Sequence, residues 1–596
     1  MISRSHALLQ GSRIPLASLS APLGCGCASY KPPRRCYATR APAPKKIAVL
    51  GGGITGLSTA YYLSRSLPNV TITLYEGSGR MGGWLNSKRE SVPGGGYVTF
   101  EQGPRTLRKS PWALFALDMC LDLGMKDELI FVPKTAPAAQ NRYIYDKDHI
   151  VRLPSGIRDV ISSLNEPTIR NLVLEAIREP FRKPPLKGSR EDESIGQFLA
   201  RRGLKQTSDD LASAFLHGIY AGNIDELSAY STPPFDSVWH DEAAYGSIIR
   251  SMMAKPPNSW KFPARLTQMT KHLPFQLLKQ NPQMFDWYAN SSVFALQNGL
   301  GSLANALELR LKQKRVNIVK EEVLKLEKEP VSGGIMIYTS ARKNASLLKS
   351  HDLVISALPA KTTSEIASAG MSSKSGSASL VQNRQIIQEA LNVPTVTVMV
   401  VNLFYKQPGL LPVKGFGYLI PQTVPMEQNP EMALGVIFDS DTIPEWDTVK
   451  GTKVTVMLGG HWWDGLREAD LPTEEEAVLA AKSLLARHLG IDAEPLLSNA
   501  NLQKNCIPQY KVGHHRKMVS AHHALQQTFE GKLRVVGNSY YGVSVHDCIV
   551  GARQMALKVE EEVASGEMRS DRTGLEYLVE ENLGWAVDVN TPKELQ

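Results

Sequence analysis

Residues 46–76 read KIAVLGGGITGLSTAYYLSRSLPNVTITLYE, and the order of signals in this stretch decides the fold. A short apolar run, Ile47 to Leu50, predicts a strand. It enters Gly51, Gly52, Gly53, Ile54, Thr55 and Gly56, in which Gly51, Gly53 and Gly56 form a G-x-G-x-x-G turn. A helix-compatible stretch from Leu57 to Leu67 follows, then a second strand from Val70 to Tyr75 that ends at Glu76. Strand, glycine turn, helix and strand in that order are the dinucleotide-binding half of a doubly wound α/β fold. The glycines turn the chain tightly and bring its backbone close to a pyrophosphate at the helix N-terminus, where free N–H groups and the helix dipole favour an anion. Glu76 stands 20 residues past Gly56, where a carboxylate accepts ribose hydroxyls and repels a 2′-phosphate. That position argues against NADP.

Outward from this core, the 596-residue chain is large enough for several domains. An apolar content of 42% with 21% charged residues excludes a disordered or fibrous chain. The longest mostly apolar run, Pro394 to Phe404, is far short of the ~20 residues that span a bilayer. The formal charge is +9, and its placement decides what it means. Residues 1–46 hold Arg4, Arg13, Lys31, Arg34, Arg35, Arg40, Lys45 and Lys46 and no acid, in a Ser- and Ala-rich context. Such a leader is expected to be a mitochondrial transit peptide, residues 1–37, with cleavage in Arg35-Cys36-Tyr37-Ala38. Residues 561–596 carry nine acids against three bases, so residues 38–560 hold about +10. This remaining basicity suits an anionic membrane and an acidic substrate, not nucleic acid. Cys120, Cys506 and Cys548 lie far apart, which predicts neither a disulfide framework nor a metal site.

Past Glu76, Arg80, Gly82, Gly83 and Trp84 complete E-x-x-x-R-x-G-G-W, which resembles the flavin-dependent amine oxidase superfamily and implies non-covalent FAD. Further segments carry the same resemblance: Phe100 to Thr106, Asn298 to Leu303, Val316 to Leu326, His351 to Pro359 and Leu533 to Asn538. With Gly415-Phe-Gly-Tyr-Leu-Ile-Pro421, Val454-Thr-Val-Met-Leu-Gly-Gly460 and Tyr541-Gly-Val-Ser-Val-His-Asp-Cys-Ile549, the pattern resembles the protoporphyrinogen oxidases of mitochondrial, fungal type over most of residues 46–560. The resemblance implies that Gly51, Gly52, Gly53, Ile54, Thr55, Gly56, Glu76, Arg80, Gly83 and Trp84 hold FAD. It assigns Gly103, Pro104, Arg105 and Thr106 to a second flavin loop, Val323 to the adenine, and Val543, Ser544 and Val545 to the isoalloxazine, at a helix N-terminus near His546. Arg105 reads equally well as a structural brace.

The implied reaction is FAD-dependent oxidation of protoporphyrinogen IX to protoporphyrin IX by O2, with release of hydrogen peroxide, the penultimate step of haem synthesis. The flavin takes the hydride, so no catalytic side chain is named. A dicarboxylate with an apolar rim calls for a cation among apolar walls. By motif, Arg142 would pair a propionate; Phe416, Leu419, Ile437, Met457 and Ile507 would form the walls, and Gly218 and Gly222 of His217-Gly-Ile-Tyr-Ala-Gly222 would let the backbone approach the rings. On pattern alone each apolar wall residue reads as core. Rival readings are another amine oxidase or desaturase of the superfamily, or a non-catalytic flavin-containing porphyrin carrier.

The expected architecture is α/β: a Rossmann-like FAD domain from 46–110, 296–361 and 531–560, a mixed-sheet substrate domain from 256–295 and 362–530, and a helical membrane-docking domain, 111–255. In the last, Pro111 to Leu121 and Thr168 to Ile177 are apolar helical stretches, followed by Arg178, Arg182, Lys183, Lys187 and Arg190 beside Phe181. Basic residues beside an apolar face suit an anionic bilayer surface, although an ordinary core helix fits the same pattern. The resemblance implies monotopic attachment to the inner mitochondrial membrane, and leaves open a homodimer and a contact with ferrochelatase. Ser364 to Ser379 reads as a flexible insert, and 561–596 as an acidic tail in which Glu576 to Leu583 either packs back or stays solvated.

Overall fold

The glycine turn follows the middle strand of a five-stranded parallel sheet. In the computed structural model, which describes residues 40–183, 191–254, 259–261, 269, 272, 280–341, 349–371, 378–579 and 588–590, the strands are β1 (Lys46–Leu50), β2 (Thr71–Tyr75), β5 (Asn317–Val319), β6 (Leu353–Ser356) and β12 (Leu533–Val535). Their order is β5-β2-β1-β6-β12, with every pairing parallel. A parallel sheet is covered on both faces, which is why β1 is apolar from Ile47 to Leu50. Ile47 and Val49 face one core with Leu57, Leu303 and Ile549, while Ala48 and Leu50 face another with Val354, Ile366 and Leu525. The helix after the turn, α1 (Ile54–Ser66), begins three residues earlier than the apolar pattern suggests. Gly56 lies in its first turn, where a Cβ would stand 1.8 Å from the Gly51 carbonyl oxygen. The Val316–Leu326 stretch divides between β5 and a separate strand, Val323–Lys328.

A second sheet has seven strands in the order β11-β7-β10-β9-β8-β3-β4: β3 (Tyr143–Asp146), β4 (His149–Arg152), β7 (Thr395–Tyr405), β8 (Gly417–Leu419), β9 (Ala433–Ile437), β10 (Thr452–Gly459) and β11 (Leu497–Pro508). Only β8 and β3 pair parallel. Alternation assigns Val401, Leu403, Val456 and Leu458 to one face, where Ala477, Ala481, Leu484 and Leu485 of α9 (Glu474–Leu489) cover them. The other face carries Val396, Val398, Val400 and Met457.

Segment 111–255 is not a separate helical body. The helix α2 (Ala113–Asp122) is apolar apart from Asp118 and Asp122 and packs in the dinucleotide core, with Asp122 accepting from Tyr61 at 2.7 Å and Arg310 at 2.8 Å. The β3–β4 hairpin joins the seven-stranded sheet instead. Further helices of this segment include α3 (Ile157–Ser162), α4 (Pro167–Arg178), α5 (Ser213–Ile219) and α6 (Ile248–Ala254); beyond it, α7 (Gly301–Gln313) packs in the dinucleotide core.

Two compositional readings are corrected. Ser364 to Met371 is no flexible insert: it belongs to α8 (Ala360–Gly370), where Ser364, Ile366, Ala367 and Ser368 are buried. Its small side chains permit close packing, and a Cβ on Gly370 would meet the Leu326 carbonyl at 1.6 Å. Residues 372–377 lie outside the described residues. The acidic segment is also body as far as Val579. The helix α10 (Val545–Ser565) runs through its start, the Val535 N–H donates to Thr573 O at 2.8 Å, and Thr573 and Leu575 are fully buried. Its acids are matched: Glu562 pairs with buried Arg534 at 2.8 Å, and Glu576 with Lys558. The leader, Lys187, Arg190 and most of 256–279 lie outside the described residues.

Candidate active site

The glycine cradle is closed to side chains. Gly51 has φ +97°, and a Cβ on Gly52 would stand 2.4 Å from Met81 Sδ. A Cβ on Gly83 would lie 3.0 Å from Gly53 Cα, and one on Gly103 2.3 Å from the Trp84 carbonyl oxygen. Gly53 begins α1 with no side-chain cap, and no acid occupies the first turn. An N-terminus left open in this way, behind a floor of bare backbone, fits a dinucleotide pyrophosphate. Ile54 and Thr55 supply the first helical N–H groups, and Gly537 packs 3.6 Å from Thr55 Oγ1 by its Cβ direction. Glu76 accepts from the Gly52 N–H at 2.6 Å and from the Ser78 N–H at 2.6 Å, which fixes its carboxylate and leaves lone pairs for ribose hydroxyls. Val323, buried in the core beside Tyr75, lies next to this ribose end of the sheet.

Arg80 braces rather than presents a charge. Its guanidinium donates to the carbonyls of Met81 (3.0 Å), Leu85 (3.1 Å) and Gly83 (2.5 Å), holding the G-G-W turn, while Trp84 stays partly exposed. Arg105 is likewise a brace: it is buried and donates to Asp439 Oδ1 at 2.8 Å. Asp439 Oδ2 accepts from Thr455 at 2.6 Å, and Asn402 Nδ2 donates to the Glu101 carbonyl at 3.2 Å. This network ties the loop of Gly103, Pro104, Arg105 and Thr106 to the seven-stranded sheet. Glu101 itself is buried, accepts from Leu300 N–H at 2.6 Å and Ser87 Oγ at 2.7 Å, and burial pushes its carboxyl up to about 7.

At the start of α10, Ser544 and Asp547 form a capping box, so the Ser544 hydroxyl and N–H both bind Asp547. Ser544 therefore offers no free side-chain donor toward a flavin. Val543 packs on the cluster around Tyr510 and Leu227, and Val545 packs in the dinucleotide core, so this turn spans the two. Burial pushes the Cys548 thiol up to about 12, which removes it as a nucleophile for a covalent flavin bond.

The proposed wall residues emerge from one face of the seven-stranded sheet. Val400, Met457, Gly435, Leu419 and Ile144 form one directly paired row across five strands. Gly435 makes room for Leu419, whose Cδ2 lies 2.9 Å from where a Cβ would be, and Gly218 of α5 packs over the same leucine at 3.2 Å. Ile437 pairs with Thr455 in the next row, beside the Arg105 network. Phe416 is half-buried, its N–H donating to Asn141 O at 3.1 Å. Met457 and Ile507 join one apolar cluster with Ala221, and Gly222 is pressed against Gln509. Arg142 adjoins β3 on the solvent side; among the described residues no carboxylate pairs with it, and partial burial with the Arg108 charge pushes its pKa down. Asp439, Asn402 and Thr455 carry no sequence signal, since Arg105 and Asp439 stand 334 residues apart.

The helices α4 and α6 present a fixed apolar surface. Arg202 and Glu179 are both fully buried, with Arg202 Nε donating to Glu179 at 2.7 Å. Glu179 also accepts from the Ile248 and Ile249 N–H groups at 3.1 and 3.2 Å, clamping α6 against the end of α4. Outside that clamp, Ile177 is 60% exposed, Phe181 81% and Met253 81%, with Arg178, Arg182 and Lys183 among them. Among the described residues no helix is long and apolar enough to cross a membrane.

Residues 54–559 match the family described as flavin containing amine oxidoreductase. The chain is 35% identical to the protoporphyrinogen oxidase of Schizosaccharomyces pombe, covering 86% of this chain and 98% of that one. It is 34% identical to the protoporphyrinogen oxidase of Homo sapiens, again over 86% of this chain and 98% of the relative. Among solved structures, a protein of Exiguobacterium assigned as a protoporphyrinogen oxidase aligns with a TM-score of 0.63 at 21% identity, covering 87% of this chain and 99% of that one.

Proposed function

Since the chain belongs to the flavin containing amine oxidoreductase family, among its protoporphyrinogen oxidases of eukaryotic type, we propose that it oxidises protoporphyrinogen IX to protoporphyrin IX with O2, releasing hydrogen peroxide. FAD, when bound, takes up the hydride equivalents and passes the electrons to oxygen. The observation that carries this reading is the buried Arg105–Asp439–Thr455 network, which joins the dinucleotide cradle to the sheet face bearing Leu419 and Met457. The chain holds FAD through the bare backbone of Gly51 to Gly56, the Glu76 carboxylate and the turn braced by Arg80. Leu419, Ile437, Met457, Ile507 and Phe416 bury the macrocycle and exclude water, and Arg142 meets a propionate with a charge-assisted hydrogen bond. Purified, leader-free protein tests the reading: it is expected to be yellow and to convert protoporphyrinogen under air into fluorescent porphyrin with peroxide. Yellow protein without turnover supports the carrier instead, and turnover of amines alone overturns the reading.

The exposed Ile177, Phe181 and Met253, set among Arg178, Arg182 and Lys183, support monotopic attachment to an anionic membrane, taken here as the inner mitochondrial membrane. An apolar substrate delivered from lipid makes that placement useful.

A further inference from the structure

The helix α5, which packs over Leu419, carries one half of an imidazole pair that lies outside the cradle. His217 is buried, and its Nδ1 lies 2.6 Å from the Ile420 carbonyl oxygen. A carbonyl only accepts, so the proton is at Nδ1, and neutral His217 presents a lone pair at Nε2. His461 Nε2 lies 2.8 Å from that lone pair. His461 must therefore donate from Nε2, which leaves its own lone pair at Nδ1. Burial keeps both rings neutral, pushing His217 down to about 4 and His461 to about 3, and no other charged group acts on either.

The same residues place His461 at the apolar wall. Its backbone N–H donates to Ala221 O at 2.8 Å, and a Cβ on Gly460 would lie 2.4 Å from that oxygen. Ala221 shares its cluster with Met457 and Ile507, and Trp462 packs against the His461 ring with centroids 4.2 Å apart. His461 is only half-buried, so an acceptor of fixed position stands beside the apolar wall.

We propose that His461 is a substrate-binding residue whose Nδ1 accepts a hydrogen bond from a pyrrole N–H of the tetrapyrrole, and that His217 is the positioning residue that fixes the required tautomer. The proposal rests on the function given above. A porphyrinogen carries N–H donors on an otherwise apolar ring, and burying a donor without an acceptor is costly. With the opposite tautomer, His461 would confront ring N–H with N–H. The Ile420 carbonyl, acting through His217, forbids that arrangement.

The test uses the FAD-loaded enzyme and two readouts: KM for protoporphyrinogen IX, and Kd for protoporphyrin IX by fluorescence quenching, with flavin content and melting temperature as folding controls. His461→Phe is expected to raise both about tenfold, the size of one hydrogen bond, at unchanged flavin content. His217→Leu does the same by releasing the tautomer. His217→Gln, whose amide donates to Ile420 and accepts from His461, stays within about twofold of the parent. In 15N spectra of histidine-labelled enzyme, His461 is protonated at Nε2, and its Nδ1 signal shifts when protoporphyrin IX binds. Unchanged KM and Kd in His461→Phe overturn the proposal, as does a His461 protonated at Nδ1. A parent enzyme that binds protoporphyrin but does not oxidise protoporphyrinogen overturns the function while leaving the 15N test of the pair intact.

Discussion

Arg105 Nη1 lies 2.8 Å from Asp439 Oδ1, and both side chains are buried, so the flavin loop and the substrate sheet share one ion pair. Removing one partner leaves the other charge uncompensated, which costs about 3–5 kcal/mol at buried sites. Arg105→Ala is expected to lower the melting temperature and release flavin together. Chemical denaturation followed by flavin fluorescence and by tryptophan checks this: two separate transitions would show that the pair does not couple loop and sheet.

Gly56→Ala tests the cradle. The added methyl would stand 1.8 Å from the Gly51 carbonyl oxygen, which only backbone movement relieves. The expected product is a folded, colourless protein, read from the absorbance ratio near the flavin band. Gly156→Ala is the control, since nothing lies within 4 Å of its added methyl and its backbone is extended.

The proposed membrane attachment rests on exposed side chains. Burying a Phe or Met side chain contributes about 1.5–3 kcal/mol, so Phe181→Asp with Met253→Asp is expected to weaken binding at least tenfold. Flotation with phosphatidylcholine vesicles containing cardiolipin measures it. Activity in detergent should be retained; equal loss in both assays would assign these residues to folding.

Glu101 gives a pH dependence whose sign is fixed. Burial raises its carboxyl from 4.5 to about 7, so the folded state holds the proton more tightly than the unfolded one. Its contribution is fully present below about pH 4.5 and is lost as pH rises through 7, on the order of 2–3 kcal/mol. The buried histidines act oppositely, destabilising below about pH 6.5, so the comparison between parent and Glu101→Gln isolates the effect. Urea midpoints at pH 5 and pH 8 should fall further in the parent than in the variant.

Local signals were legible and distant pairings were not. Gly51 to Glu76 announce the dinucleotide half because turn, helix start and acid lie within one supersecondary unit. Leu419 and Met457, named as walls from the family resemblance alone, share a sheet row through Gly435 that only the register shows. Arg105–Asp439 and His217–His461 are 334 and 244 residues apart, and only the fold brings them together. Composition misled at Ser364, where small residues serve close packing, and left Glu576 open between a packed and a solvated segment until its pairing with Lys558 decided it. The helices α2 and α4 are both rich in apolar residues, yet α2 has only Asp118 and Asp122 to satisfy, which pair within the fold, while α4 carries a charged face and stays at the surface.

The helix α4 answers to two neighbours at once. Ile169 and Leu172 share an apolar cluster with Ile144 and Leu419, while Leu174 and Ile177 point outward. A helix turns about 100° per residue, so a single inserted or deleted residue would swing the inner pair off Leu419 and the outer pair off the exposed apolar face together. Length in this segment is thus far less free to drift than side-chain identity, and grafting the anchor of one relative onto another requires carrying α4 over whole, in phase.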